Sequence, residues 1–226
     1  EGGSACLAQA MVVAKIANSR AVLLRAARER PDDAPGGEPL RQAAMRLGRI
    51  LDHLSGDTPL DLVRGREGEA GHVYFAVFDH LIVAQKEGFF FHERNRRPPL
   101  DNMNALLSFL YTLLANDVAA ALEGVGLDPA VGYLHRERPG RPALALDLME
   151  EFRPFLADRL ALSLVNLQQV KSKGFQRSET GAVAMDDATR KEVLVSYQKR
   201  KQEDIQHPFL DEKIPIGLLP HAQAML

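Results

Sequence analysis

"LDNMNALLSFLYTLLANDVAAALE", residues 100–123, is apolar nearly all round, with Asp117 as the one charge between Asp101 and Glu123. A helix solvated on one side shows a polar face, so this one reads as the central helix of a bundle. Gly124 and Gly126 follow and stop it. Upstream, residues 4–29 read as a helix opened by Ser4, ending at the Pro- and Gly-rich loop 31–39. A second helix is predicted from about Pro39 to Leu54 and a third from about Pro59 to Ala84, each with proline near its first turn, where a missing N–H costs nothing.

Downstream, a short turn of helix is predicted from Asp128 to about Leu134. Apolar periodicity returns from Ala143 to about Val170, broken by Pro154, and a last helix runs from Asp187 to Gln206 with Asp186 as its cap. Between them, FQRSETGAVAM suits a small hairpin around Thr180 and Gly181, near 174–185. Every long element is helical. The expectation is an all-α, multi-helix architecture with that one hairpin, residues 1–226 forming a single helical domain.

Composition excludes more than it selects. The 226 residues carry 46% apolar side chains, enough for a sizeable core. One cysteine, Cys6, forms no internal disulfide, and no secretory pattern or run of about 18 apolar residues is evident, so no membrane is expected and the cytoplasm is the expected compartment. A net charge of −2 gives no global field favouring a polyanion; a nucleic-acid reading has to rest on local basic clusters. The absence of GxxxxGK[ST], GxGxxG and GxSxG removes P-loop hydrolysis and serine esterase chemistry.

Three acidic or histidine features stand out. On the third helix Val63, Ala70, Tyr74, Val77, Phe78 and Leu81 share one stripe, and Glu67 falls inside it. A carboxylate facing a core is costly unless paired, protonated or metal-bound. Pairing with Arg64 or Arg153, or closeness to the solvated helix start, would explain it as well as a metal. After residue 143, Asp147, Glu150, Glu151, Pro154 and Asp158 line one face, with Leu148, Phe152, Phe155, Leu156 and Leu160 on the other. Asp147 and Glu150, three apart, can reach a common point; acids in a first turn are also commonly just solvated. His135, ahead of Arg136, Arg138 and Arg141, reads alone as a surface or capping histidine. Together with carboxylates from separate helices it would form a mixed nitrogen and oxygen site for a hard divalent ion, Mg²⁺ or Mn²⁺.

RGREGEA (64–70), NRRPPLDNMNALLSFLYTLL (95–114) and VGYLHRERPGRPALALDLMEEFRP (131–154) resemble the CRISPR adaptation integrase, the Cas one family, in content, order and spacing. KIANSR (15–20), QHPFLDE (206–212) and HAQAML (221–226) extend the likeness to essentially the whole chain, as the helical carboxy-terminal part of that family, without its small amino-terminal β domain. The resemblance implies a metal-dependent DNA endonuclease and integrase that inserts captured fragments as new spacers into a CRISPR array. It places Glu67, His135 and Glu150 as metal ligands, with Asp147 as a further acid, while Glu151 competes with Glu150 for the third place. It implies double-stranded DNA, a homodimer and the small Cas two protein as partners.

Arg94, Arg96 and Arg97, then Arg136, Arg138 and Arg141, then Lys171, Lys173 and Arg177, form local clusters on connections flanking the expected site and are candidate phosphate contacts. Asn104, Ser108 and Tyr111 share one face of the central helix and are placed toward the pocket, where polar satisfaction within a bundle explains them equally well. A mobile-element transposase of the same fold and a non-catalytic helical DNA scaffold are the competing readings.

Overall fold

The computed structural model describes residues 2–31, 36–135, 138–206 and 211–225. Helix α1 (Gly2–Arg28) lies against α2 (Gly37–Asp52) and α3 (Leu60–Ala76), while α4 (Asn102–Gly124) packs mainly against elements that follow it in the chain. Then come α5 (Ala143–Phe152), a π-helical segment (Arg153–Asp158), α6 (Arg159–Asn166), α7 (Asp187–Lys201) and the short α8 (Leu219–Met225). The chain is predominantly α-helical with small hairpins, as the periodicity implies.

Helix α4 begins where Asp101 accepts the N–H of Asn104 at 2.7 Å, satisfying one of the free donors of the first turn. It ends at a turn that Gly126 completes with φ of 83°, a left-handed conformation that costs glycine nothing. Met103, Leu106, Leu107, Leu110, Leu114 and Val118 are buried along it, each leucine contributing roughly 1.5–3 kcal/mol on leaving water. Thr112, Asn116, Ala120 and Glu123 are exposed along its other face, so the helix is not the enclosed centre of the bundle that its composition implies. Helices α1 and α4 are long and apolar enough to cross a membrane by length and composition. Each lays its apolar stripe into the shared core instead, α1 through Ala8, Val12, Ile16 and Leu23.

The strands are two antiparallel hairpins. β1 (Phe175–Arg177) pairs with β2 (Val183–Met185), Gln176 opposite Ala184, where the sequence places a hairpin. β3 (Asp204–Gln206) pairs with β4 (Lys213–Pro215), Ile205 opposite Ile214. This second hairpin corrects the expectation that α7 runs to Gln206: the helix ends at Lys201, and residues 204–206 find a strand partner. Its start is as expected, Asp186 capping the N–H of Thr189 at 2.7 Å.

Two other boundaries differ. α3 stops at Ala76, not Ala84, and Phe78–Leu81 form a 3₁₀ turn. Asp79 accepts the N–H of Phe91 at 2.8 Å and binds Lys86, while Phe78 packs at a tilt against Phe91, 4.8 Å between ring centres. Those contacts with residues 86–91 outweigh another turn of helix. Residues 128–134 form a turn and extended chain rather than a helical turn: the N–H groups of Ala130 and Val131 go back to Asp128, and those of Tyr133 and Leu134 go to Asp147.

Candidate active site

Asp147 organises the approach to α5. Its carboxylate is wholly buried and accepts the backbone N–H groups of Tyr133 at 2.6 Å, Leu134 at 2.8 Å and His135 at 2.9 Å. Its Oδ1 also lies 2.5 Å from Nδ1 of His135. The loop can come this close because residue 132 is glycine: a Cβ there would lie 2.6 Å from the Cβ of Ala143 and 3.0 Å from Asp147 Oδ2. Arg64 on α3 fastens the same loop through the carbonyl of Leu134 at 2.8 Å. A neutral histidine donating from Nδ1 to a carboxylate keeps Nε2 as its free lone pair, the usual arrangement of a metal-binding or proton-transferring imidazole.

Glu150, one helical turn on, faces another way. It is 2% exposed; Arg153 lies 2.8 Å from Oε1 and Lys15 of α1 lies 2.7 Å from Oε2. Oε2 makes the ion contact without a well-directed hydrogen bond, so it retains acceptor capacity. Burial alone would raise the Glu150 carboxyl, but Arg153 and Lys15 overcome it and hold it at about 2. Asp147 and Glu150 therefore do not meet at one point. They are not solvated acids of a first turn either: both are buried.

Lys15 gathers the site. Its Nζ also meets Oε1 of Glu67 on α3, so one ammonium bridges carboxylates from two helices. Glu67 thus pairs with a lysine rather than Arg64 or Arg153, and its side chain, 30% exposed, stands at the edge of the core rather than within it. Burial would lower the pKa of Lys15, but Glu150 and Glu67 more than offset that and raise it. Glu150, not Glu151, meets Lys15; the Glu151 backbone carbonyl instead accepts Asn18 Nδ2 at 2.9 Å. KIANSR thus enters the site through Lys15 and Asn18. Lys15 joins these carboxylates without having been singled out in the sequence, where its signal is that it is the one charged side chain in residues 5–19 of the first helix.

Among the described residues, no three histidine, cysteine or acidic groups are gathered tightly enough to hold a metal ion as they stand. The donor chemistry nonetheless suits one: Glu67 and Glu150 converge on a single cation, Glu150 Oε2 has capacity to spare, and His135 is oriented by a carboxylate behind it.

A small cleft of about 30 Å³ adjoins Lys15 and is lined by Ser19, Gly71, Tyr74, Arg94, Arg96, Tyr111, Arg153 and Asp158. Tyr111 lies between two guanidiniums, Arg153 at 4.8 Å and Arg94 at 5.2 Å from the ring centre. Tyr111 donates to Asp158 at 2.6 Å and Tyr74 to its other oxygen at 3.1 Å. Desolvation dominates at Asp158 and raises it to about 6 despite both hydroxyls. Of Asn104, Ser108 and Tyr111 on α4, only Tyr111 lines the cleft. Asn104 is fully buried and spends its amide on Arg94, Asp101 and the backbone of Glu93 and Asn95; Ser108 accepts from Arg94 at 3.0 Å. Arg94 is therefore committed within the protein, whereas Arg96 borders the cavity, Arg97 and Arg138 are exposed and Arg141 is half-buried. Arg136 lies outside the described residues.

The family model for "CRISPR associated protein Cas1" matches residues 2–199. The chain belongs to the Cas1 family. It is 52% identical over 223 residues to a "CRISPR-associated endonuclease Cas1 1" of Chlorobaculum tepidum, covering 99% of this chain and 65% of that relative. Against a "CRISPR-associated endonuclease Cas1" of Leptospira interrogans the identity is 44%, covering 97% of this chain and 86% of the relative. It thus spans about two-thirds of the length of the first Cas1 relative. A Cas6-RT-Cas1–Cas2 complex matches with a TM-score of 0.82 at 26% identity, covering 98% of this chain and 23% of that one. A casposase bound to its integration product matches with a TM-score of 0.82 at 22% identity, over 99% of this chain and 62% of the casposase, a likeness of fold. Cas1 membership shifts the balance between the competing readings: the high identities are to CRISPR-associated endonucleases, the casposase likeness is structural.

Proposed function

We propose that this Cas1 chain supplies the catalytic centre of a metal-dependent DNA endonuclease and integrase, inserting captured fragments as spacers into a CRISPR array. The observation that carries the reading is the meeting of Glu67 and Glu150, from separate helices, on one positive charge, with His135 oriented alongside. The 52% identity to a protein named as an endonuclease supports it.

Glu67, Glu150 and Nε2 of His135 would hold Mg²⁺ or Mn²⁺. When bound, such an ion supplies positive charge that polarises a scissile phosphate and acidifies a water or a DNA 3′-hydroxyl. Asp147 keeps His135 in the tautomer with Nε2 free, for ligation or for a proton. Asp147 is in this account a positioning group, since its lone pairs are taken by backbone N–H groups and Nδ1. Arg153 holds the Glu150 carboxylate ionised and fixes Tyr111 beside the cavity. Arg96, Arg97, Arg138 and Arg141 would meet DNA phosphates in this reading, with Arg94 holding its own loop to α4 through Asn104 and Ser108.

Double-stranded DNA, a second copy of the chain and Cas2 are its partners in this reading, and the cytoplasm its compartment. The match to the Cas6-RT-Cas1–Cas2 complex supports the Cas2 pairing. Metal-dependent cleavage and strand transfer on duplex DNA with a free 3′-hydroxyl test it: wild type is active with Mn²⁺ or Mg²⁺, and Glu67→Gln, His135→Ala and Glu150→Gln are not.

A further inference from the structure

We propose that Lys15 is a resident counter-ion that occupies the place of the divalent cation and gives way to it, so that the lysine sets how tightly the site takes metal. The inference rests on the reading of Glu67 and Glu150 as metal ligands.

The geometry is that of a substitute cation. Lys15 Nζ contacts one oxygen of each carboxylate, 2.7 Å from Glu150 Oε2, and is the group that draws α3 and α5 to a common point. Its side chain is only 14% exposed, so the ammonium is largely removed from water and compensated by those two acids. Two features make it displaceable. A lysine is a point charge on a flexible stem, without the planar fork that locks arginine to a carboxylate. The cleft that Lys15 itself lines, with Ser19, Tyr74, Tyr111 and Asp158 among its walls, is the space open to the freed ammonium. Arg153, on Oε1 of Glu150, stays in place while Oε2 is released.

Without Lys15 the protein would hold two acids with less positive charge between them. Removing the lysine should therefore loosen the metal-free fold and tighten the metal site. A lysine that merely supported the packing would do the opposite: its loss would disorder the carboxylates and weaken binding. The sign of the change decides.

Mn²⁺ binding is measured by titration calorimetry, with thermal unfolding with and without Mn²⁺, on the wild type, Lys15→Met and Lys15→Gln. The expected result is at least about tenfold tighter Mn²⁺ binding in both variants, a lower melting temperature without metal, and a larger Mn²⁺-induced rise than in the wild type. Folding of Lys15→Gln, the polar replacement, keeps the test available if Lys15→Met does not fold. Wild type that binds Mn²⁺ beside folded variants that bind equally or more weakly would overturn the role of Lys15 and leave the metal site standing. No Mn²⁺ binding by any of the three would overturn the metal-site reading and the inference with it.

Discussion

Nδ1 of His135 lies 2.5 Å from Oδ1 of Asp147, and the same carboxylate accepts the backbone N–H groups of residues 133, 134 and 135. One buried acid thus fixes both the tautomer of the histidine and the path of the loop that carries it. The two roles separate by substitution. Asp147→Asn keeps an acceptor for the loop but replaces one carboxylate oxygen by a donor, so metal-dependent cleavage should fall about 10–100-fold with the fold retained. Asp147→Ala strands three backbone donors and should cost roughly 2–4 kcal/mol in urea unfolding.

Gly132 should be intolerant of any side chain. A Cβ would press on Ala143 and on Asp147 Oδ2, and the nearest atoms belong to a buried helix start that cannot give way. Gly132→Ala should lower stability by about 1–3 kcal/mol and activity along with it, whereas Gly68→Ala, with nothing within 4 Å of the added Cβ, needs no such rearrangement. Thermal melts of the two variants side by side check this.

Glu150 and Glu67, equal as proposed ligands, should differ as structural groups. Glu150→Gln leaves Arg153 and Lys15 largely buried without their shared anion and should cost roughly 3–5 kcal/mol. Glu67→Gln, at a side chain 30% exposed, should cost under about 1 kcal/mol while abolishing cleavage to a similar degree. Urea midpoints beside activity measurements separate the two effects.

These differences mark where the sequence was and was not legible. The all-α class, the long helix after Asp101, the Asp186 cap and the first hairpin follow from local pattern: apolar periodicity, capping residues and a Thr-Gly turn. The helical turn expected at 128–134 fails where Asp147, at least 13 residues on from that segment, takes the N–H groups of Tyr133 and Leu134, an interaction invisible to any local rule. The acids after residue 143 look like a solvated first turn because Lys15, Arg153 and the loop that cover them come from elsewhere in the chain or from further along the helix. Glu67 was legible as an anomaly, a carboxylate within an apolar stripe, but its partner 52 residues upstream was not.

Asp158 carries a pH dependence of definite sign. Burial raises its carboxyl to about 6 in the folded protein from an ordinary 3.8, so the folded state favours the protonated form. The resulting stabilisation is complete below pH 3.8 and is lost as pH rises through 6, a difference on the order of 3 kcal/mol. Asp158→Asn, which has no charge to bury and can still accept from Tyr111, should remove that slope between pH 4 and 6 and match or exceed wild-type stability at pH 7. Urea unfolding of both proteins at pH 4, 5, 6 and 7 measures it.

The most direct test of the central claim is strand transfer of a duplex with free 3′-hydroxyl ends into repeat DNA, with and without Mn²⁺. The account predicts joined product from the wild type only when the metal is present, and a loss of at least about 100-fold in each of Glu67→Gln, His135→Ala and Glu150→Gln, all folded by circular dichroism. Product formed without a divalent ion, or full activity retained by all three variants, would contradict it.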